Sequence, residues 1–103
     1  MNFEVFLERL NNGETVEQIT QGSNVECIEN IVYEDDDLYN FMCSMGAEIE
    51  DYGVGYAVIS TNEGKYYEVP YEERKNRFGD DLPNETILFF EANRIYDVTK
   101  DRI

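Results

Sequence analysis

Residues 52–70, with the sequence YGVGYAVISTNEGKYYEVP, constrain the fold of this chain more than any other segment. β-Branched and aromatic residues recur there with a period of two, which is typical of a β-strand. Residues 61–65 supply the polar and glycine chemistry of a tight turn, after which the chain returns through a second strand. The segment predicts a β-hairpin over residues 54–69. One face of its first strand would carry Val54, Tyr56 and Val58, and the other would carry Ala57 and Ile59.

Further strands are predicted on both sides of this hairpin along the chain. Residues 86–92, TILFFEA, form an unbroken apolar run of the kind that fills a central strand with both faces covered. Another strand over residues 94–98 would follow a break at Asn93. Residues 47–52, AEIEDY, alternate only weakly, which indicates an edge strand or a connector with Glu48 and Glu50 on one face.

The beginning of the chain is predicted to be helical. Asn2 can cap a first helix whose apolar residues recur at i, i+3, i+4 and i+7, and residues 11–13 would end it. Thr15 and Gln18 form a capping box for a short second helix that would end at Gly22. The apolar stripe of the first helix consists of Phe3, Phe6, Leu7 and Leu10.

Residues 23–33 are compatible with two structures. Ser23 followed by Glu26 repeats the capping signal and favours a third helix. A strand over residues 31–33 fits as well, because β-branched residues and tyrosine also favour extended backbone. The helix would be lined by Val25, Ile28 and Val32.

Two later helices are predicted. Residues 38–45 carry apolar side chains on one face and stop at Gly46, and the acidic run 34–37 suits the N-terminus of that helix. Pro70 fits the first turn of another helix that would end before Gly79. In that helix Glu72 and Glu73 would come first, and Arg74, Lys75 and Arg77 would come last.

These elements predict an α+β fold, in which N-terminal helices pack on one face of a small antiparallel sheet built on the 54–69 hairpin. With 103 residues, the chain is long enough for one modest core. We therefore expect residues 1–103 to form a single acidic domain.

The charge of the chain is strongly acidic and unevenly distributed. There are 23 acidic and eight basic residues, which give a formal net charge of −15. Residues 1–64 hold 14 acids and one base, whereas residues 65–103 hold nine acids and seven bases. Such a surface repels nucleic acid and anionic membranes and attracts basic proteins. Solubility alone is an alternative explanation for this composition.

Neither a membrane span nor a secretion signal is expected. No apolar run approaches the roughly 20 residues of a membrane span, and the N-terminus lacks the basic start and apolar centre of a signal peptide. We therefore expect a cytoplasmic protein. Cys27 and Cys43 are not part of a CxxC motif, so we expect both to be buried free thiols rather than a disulfide.

Histidine-dependent catalytic sites are excluded, and the acidic run 34–37 offers oxygen ligands without the spacing of a calcium site. The chain has no histidine, which removes the commonest general base and the histidine-dependent nucleophile pairs. An EF-hand starting at Asp35 would need glycine and glutamate where Asn40 and Gly46 stand. We therefore expect no catalytic residues, no metal site, no cofactor and no enzymatic activity. A hydrolase based on two facing carboxylates is the remaining enzymatic alternative.

The sequence favours a non-enzymatic acidic inhibitor that binds a basic, nucleic-acid-binding protein and contacts neither nucleic acid nor membrane directly. In composition alone, it is similar to small DNA-mimic inhibitors of the anti-CRISPR or antirestriction type from phages and mobile elements. Tyrosines among the acids would supply anchors, because tyrosine is enriched at interface hot spots. The predicted partner-binding residues are Glu26, Glu29, Glu34, Asp35, Asp36, Asp37, Tyr39, Glu48, Glu50, Asp51 and Tyr52.

The alternative is an adaptor, immunity or antitoxin-like protein. Such a protein would recognise one cognate partner through an apolar or sheet-edge surface, and its acidity would serve solubility. Its binding would resist salt and depend on apolar or aromatic residues.

Overall fold

A computed structural model describes residues 1–21, 25, 27–33, 36–74 and 85–102. Its helices are α1 Phe3–Asn11, α2 Val16–Ile19, α3 Asp36–Ser44 and α4 Thr99–Arg102. Its strands are β1 Cys27–Ile28, β2 Ile31–Tyr33, β3 Ala47–Tyr52, β4 Tyr56–Thr61, β5 Tyr66–Arg74, β6 Glu85–Phe89 and β7 Tyr96–Asp97. The predictions made for Gly22, Ser23, Glu26, Glu34, Asp35, Lys75, Arg77 and Gly79 lie outside the described residues.

The strands form one antiparallel sheet in the order β1-β2-β6-β5-β4-β3. The last four strands of this order are a meander, in which β3, β4, β5 and β6 pair with their neighbours along the chain. Strand β7 pairs with β5 on the same side as β6, after a 3-10 helix at Ala92–Arg94. Helices and sheet together give the predicted α+β class, with β1 and β3 as the outer strands of the sheet order.

The hairpin is confirmed, but its first strand begins later than the alternation predicts. Ile59 pairs with Tyr67, and Ala57 pairs with Val69. The alternation predicts Val54 within this strand, but Val54 lies in the preceding turn. The chain reverses there, and the Gly53 N–H donates a hydrogen bond to the Tyr56 carbonyl.

The helix predicted to start at Pro70 is wrong, because β5 continues as a strand to Arg74. Glu68 is the last residue of β5 that pairs with β7, and Tyr71 is the first that pairs with β6. Pro70 lies between these two pairings, where its missing N–H interrupts neither ladder. Pairing with β6 therefore outweighs the helical charge order that follows Pro70 in the sequence.

For residues 27–33, the strand alternative is correct and the helix is wrong. Val32 pairs with Leu88 of the central strand β6, and Cys27 in turn pairs with Val32. The tight turn between β1 and β2 contains Glu29 at a φ of 53°. Long-range pairing with β6 thus selects the extended form of a segment whose local signals were divided.

The other helix predictions are confirmed. The Asn2 side chain accepts a hydrogen bond from the Val5 N–H at 2.8 Å and caps α1. The capping box of Thr15 and Gln18 begins α2. Helix α3 is followed by Gly46 at a φ of 66°, a conformation that favours glycine and stops the helix.

The core lies between the helices and one face of the sheet. Phe6 of α1 is its centre, with ring centroids 5.3 Å from Phe90 and 5.8 Å from Phe41 of α3. Strand β6 is covered on both faces, as predicted, because both Ile87 and Leu88 are buried. The sheet residues of the core include Val32, Ala57, Ile59, Val69 and Leu88.

Both cysteines are free, but the prediction that both are buried is wrong. Cys27 is only partly buried, and Cys43 is exposed on the outer side of α3, because that helix buries Phe41 and Met42 instead. Within the described residues, no helix has the length and apolar composition needed to cross a membrane.

Candidate functional site

Strand β3 presents three exposed carboxylates at one edge of the sheet. Glu48 lies opposite Ser60 of β4, and the Ser60 hydroxyl donates a hydrogen bond to Glu50 Oε1 at 2.6 Å. A β-bulge between Ile49 and Asp51 then shifts the register, so that Glu50 and Asp51 are exposed in succession. The bulge therefore concentrates negative charge that a regular strand would distribute over both faces.

Helix α3 places an aromatic side chain beside these acids. Tyr39 is 64% exposed and lies one helical turn before Cys43. A hydrogen bond with Cys43, followed by electrostatic interactions with Cys43 and Glu48, raises the pKa of Tyr39. Helix and strand enclose an open cleft of about 440 Å³. Its lining includes Tyr39, Cys43, Glu48, Glu50, Ser60 and Tyr66.

The turn that follows β3 is held firmly and carries exposed apolar surface. The Tyr71 hydroxyl donates to the Gly53 carbonyl at 2.6 Å, and the rings of Tyr52 and Tyr71 pack edge to face at 5.3 Å. Tyr52 is 41% exposed, and Val54 at the tip is 99% exposed. The end of the acidic strand thus carries a partly exposed tyrosine, and the turn after it carries a fully exposed valine.

The outer edge of β3 is irregular, and part of its backbone is covered or already hydrogen-bonded. The Thr61 N–H donates to the Lys65 carbonyl, so the backbone of Thr61 faces β5. Ala47 lies opposite Thr61 in β3. Because Thr61 faces away from β3, the N–H and C=O of Ala47 point to the outer edge of the sheet. Ala47 is only 4% exposed, and the outward N–H of Tyr52 is already bonded to Asp51 Oδ1 at 2.8 Å. The bulge lies between these two residues and interrupts the regular edge of the strand.

Most basic residues of the described surface are already paired with carboxylates. Four ion pairs join Arg9 to Glu14, Lys65 to Glu4, Arg94 to Glu91 and Arg102 to Asp51, with N···O distances from 2.5 to 3.7 Å. Hydrogen bonds within the first two pairs lower the pKa of Glu14 and of Glu4. Among the described residues, Glu48 and Glu50 have no ion pair, so their charge is not compensated.

The structure places three of the predicted partner-binding residues around one cleft, which is lined by Tyr39 of α3 and by Glu48 and Glu50 of β3. Asp51 and Tyr52 follow on β3, where Asp51 pairs with Arg102 and Tyr52 packs against Tyr71. Glu29 lies apart from them, in the turn between β1 and β2. Strands β1 and β3 are the two ends of the sheet order and are five strand-to-strand steps apart. At the usual strand spacing this separation is about 24 Å. Asp36 and Asp37 form the first turn of α3, and Glu26, Glu34 and Asp35 lie outside the described residues.

Val54 was not among the predicted partner-binding residues. Its neighbours Gly53 and Gly55 are a local signal for a turn. The apolar alternation of the hairpin includes Val54 and therefore favours a strand at the same position. The role of Ser60 in holding Glu50 depends on strand pairing, which no local pattern reveals.

The arrangement is chemically suited to binding cationic groups. Exposed carboxylates form charge-assisted hydrogen bonds with lysine and arginine, and a tyrosine ring can pack against a guanidinium group. Within the described part of the chain, no three cysteine or carboxylate side chains converge as metal ligands. Comparisons of the chain with protein-family models, with curated proteins and with solved structures found no match.

Proposed function

We propose that this protein is a non-enzymatic acidic inhibitor that occupies the nucleic-acid-binding surface of a basic protein in the cytoplasm. The observation that carries the proposal is the exposed acidic strand β3, whose Glu48 and Glu50 have no ion pair among the described residues. Both residues belong to a sheet strand, the Ser60 hydroxyl holds the Glu50 carboxylate, and Glu48 lies near the exposed Tyr39. A surface that binds phosphates would meet negative charges of fixed position here, as it does on a nucleic acid.

Inhibition would follow from competition. Lysine and arginine side chains that normally contact phosphates would pair with the carboxylates of β3, which excludes the nucleic acid from the same surface. The net charge of −15 would accelerate the encounter with a basic partner and prevent direct binding to nucleic acid. This is the behaviour of DNA-mimic inhibitors, including those of the anti-CRISPR and antirestriction type, which phages and mobile elements produce.

Salt and DNA competition test the proposal. The purified protein is immobilised, incubated with a lysate that contains nucleic-acid enzymes, washed with stepwise increases in salt and then challenged with duplex DNA. We expect a basic nucleic-acid-binding protein to elute at moderate salt and to be displaced by the DNA. A partner that survives high salt and ignores DNA would refute the proposal and support the adaptor, immunity or antitoxin-like alternative.

A further inference from the structure

We propose that Val54 is an apolar anchor of the partner interface, and that the partner offers an apolar recess beside its basic surface. The inference rests on the proposed function for the positive charge of the partner. It adds a contact that electrostatic attraction does not provide, and it extends the binding surface from β3 into the turn that follows.

Folding of the chain does not explain a valine at this position. The side chain of Val54 is 99% exposed and therefore contributes almost no burial to the core. β-Branched residues are also uncommon at the tips of turns, where glycine, asparagine, aspartate and serine have better conformational properties. A single exposed valine is ordinary on a protein surface. The firmly held turn and its acidic neighbours distinguish this one.

The turn holds Val54 in a defined position before any partner arrives. The Gly53 carbonyl accepts from the Tyr71 hydroxyl at 2.6 Å, and the Gly53 N–H donates to Tyr56 at 2.8 Å. The Tyr71 N–H also donates to the Gly55 carbonyl at 3.1 Å. Hydrogen bonds on both sides of Val54 reduce the entropy that binding would otherwise cost.

The surroundings of Val54 indicate what kind of molecule would cover it. Tyr52 is partly exposed two residues earlier, and it is preceded by Glu50, which has no ion pair among the described residues, and by Asp51, which pairs with Arg102. An apolar tip next to exposed carboxylates matches an apolar recess bordered by lysine or arginine. A second copy of this chain does not fit, because it would bring the acidic strands of two highly negative molecules together.

An added negative charge separates anchoring from simple attraction. Val54→Asp removes the apolar contact and adds an acid, so pure electrostatics predicts tighter binding to a basic protein, whereas an anchor predicts weaker binding. Affinity is measured by fluorescence anisotropy against a panel of purified basic nucleic-acid-binding proteins. Val5→Asp is the matched control, because Val5 is also an exposed valine but lies on α1.

We expect Val54→Asp to weaken binding by about tenfold or more, Val54→Leu to retain it, and Val5→Asp to leave it unchanged or slightly tighter. If Val54→Asp binds as tightly as the wild type or more tightly, Val54 is not an anchor. If charge reversal of β3 still abolishes binding in that case, the proposed function is retained. Failure of every member of the panel to bind the wild-type protein overturns both. Circular dichroism spectra of the variants identify any loss of fold.

Discussion

At the residue scale, Gly53 determines how the turn after β3 can pack. A Cβ added at this position would lie 2.0 Å from Cζ of Tyr56, so the aromatic ring would have to move. We expect Gly53→Ala to lower the free energy of unfolding by about 1–3 kcal/mol, measured by urea denaturation. In a Tyr56→Ala background the same replacement should cost much less, and an equal cost in both backgrounds would contradict this packing.

A second prediction at this scale concerns the ion pair of Arg9 and Glu14. Two hydrogen bonds of 2.7 and 2.8 Å join the guanidinium to the carboxylate, and they lower the pKa of Glu14 below its usual value of 4.5. A carboxylate with a lowered folded pKa stabilises the protein above its unfolded pKa, and this contribution is lost as the pH falls through the folded pKa.

Glu14→Gln should therefore be less stable than the wild type at about pH 6, and the difference should close toward about pH 3. Urea unfolding at several pH values measures both free energies. Glu8→Gln, on α1, is the matched control for the loss of one negative charge. A difference for Glu14→Gln that persists in acid would show that the ion pair is not its cause.

At the scale of elements, α1 is held to the sheet by its aromatic side chains. Phe6 is fully buried among Phe3, Phe41 and Phe90. Phe6→Ala should cost about 3–5 kcal/mol of stability, from lost burial and the cavity that remains. Phe6→Leu should cost less and remain folded. Thermal or urea unfolding measures both, and a cost below about 1 kcal/mol for Phe6→Ala would contradict a core centred on this ring.

Elements with strong local patterns were predictable from the sequence, and elements decided by pairing were not. The stripe of α1, its Asn2 cap and the hairpin alternation each depend on neighbouring residues alone. The segment after Pro70 has a helical charge order, yet pairing with β6 keeps it extended. Residues 27–33 carried both signals, and a central strand elsewhere in the chain selected one of them.

The candidate site was predictable only in part for the same reason. Composition identifies the acids, and the helix and strand patterns place Tyr39 and Glu48 on their elements. Strand order is not encoded locally, so the sequence could not show that Glu29 and Glu48 lie at opposite ends of the sheet order. The exposure of Val54 depends on where the turn begins, and alternation alone placed that boundary incorrectly.

At the scale of the whole molecule, the question is whether β3 acts as a specific surface or only as part of a general negative charge. The net charge of −15 attracts any basic protein to some degree. Two double variants separate these effects. The β3 variant combines Glu48→Lys with Glu50→Lys. The helix variant combines Glu8→Lys on α1 with Glu17→Lys on α2. Each replacement changes the charge by two, so both variants have the same net charge of −11.

The most direct measurement is the displacement of a labelled DNA duplex from a basic nucleic-acid-binding protein by the wild type and by these two variants. We expect the β3 variant to need a concentration at least about tenfold higher than the wild type, because its reversed charges face the lysines and arginines of the partner. The helix variant should remain within about threefold of the wild type. Equal loss of displacement by both variants would contradict a specific acidic surface on β3.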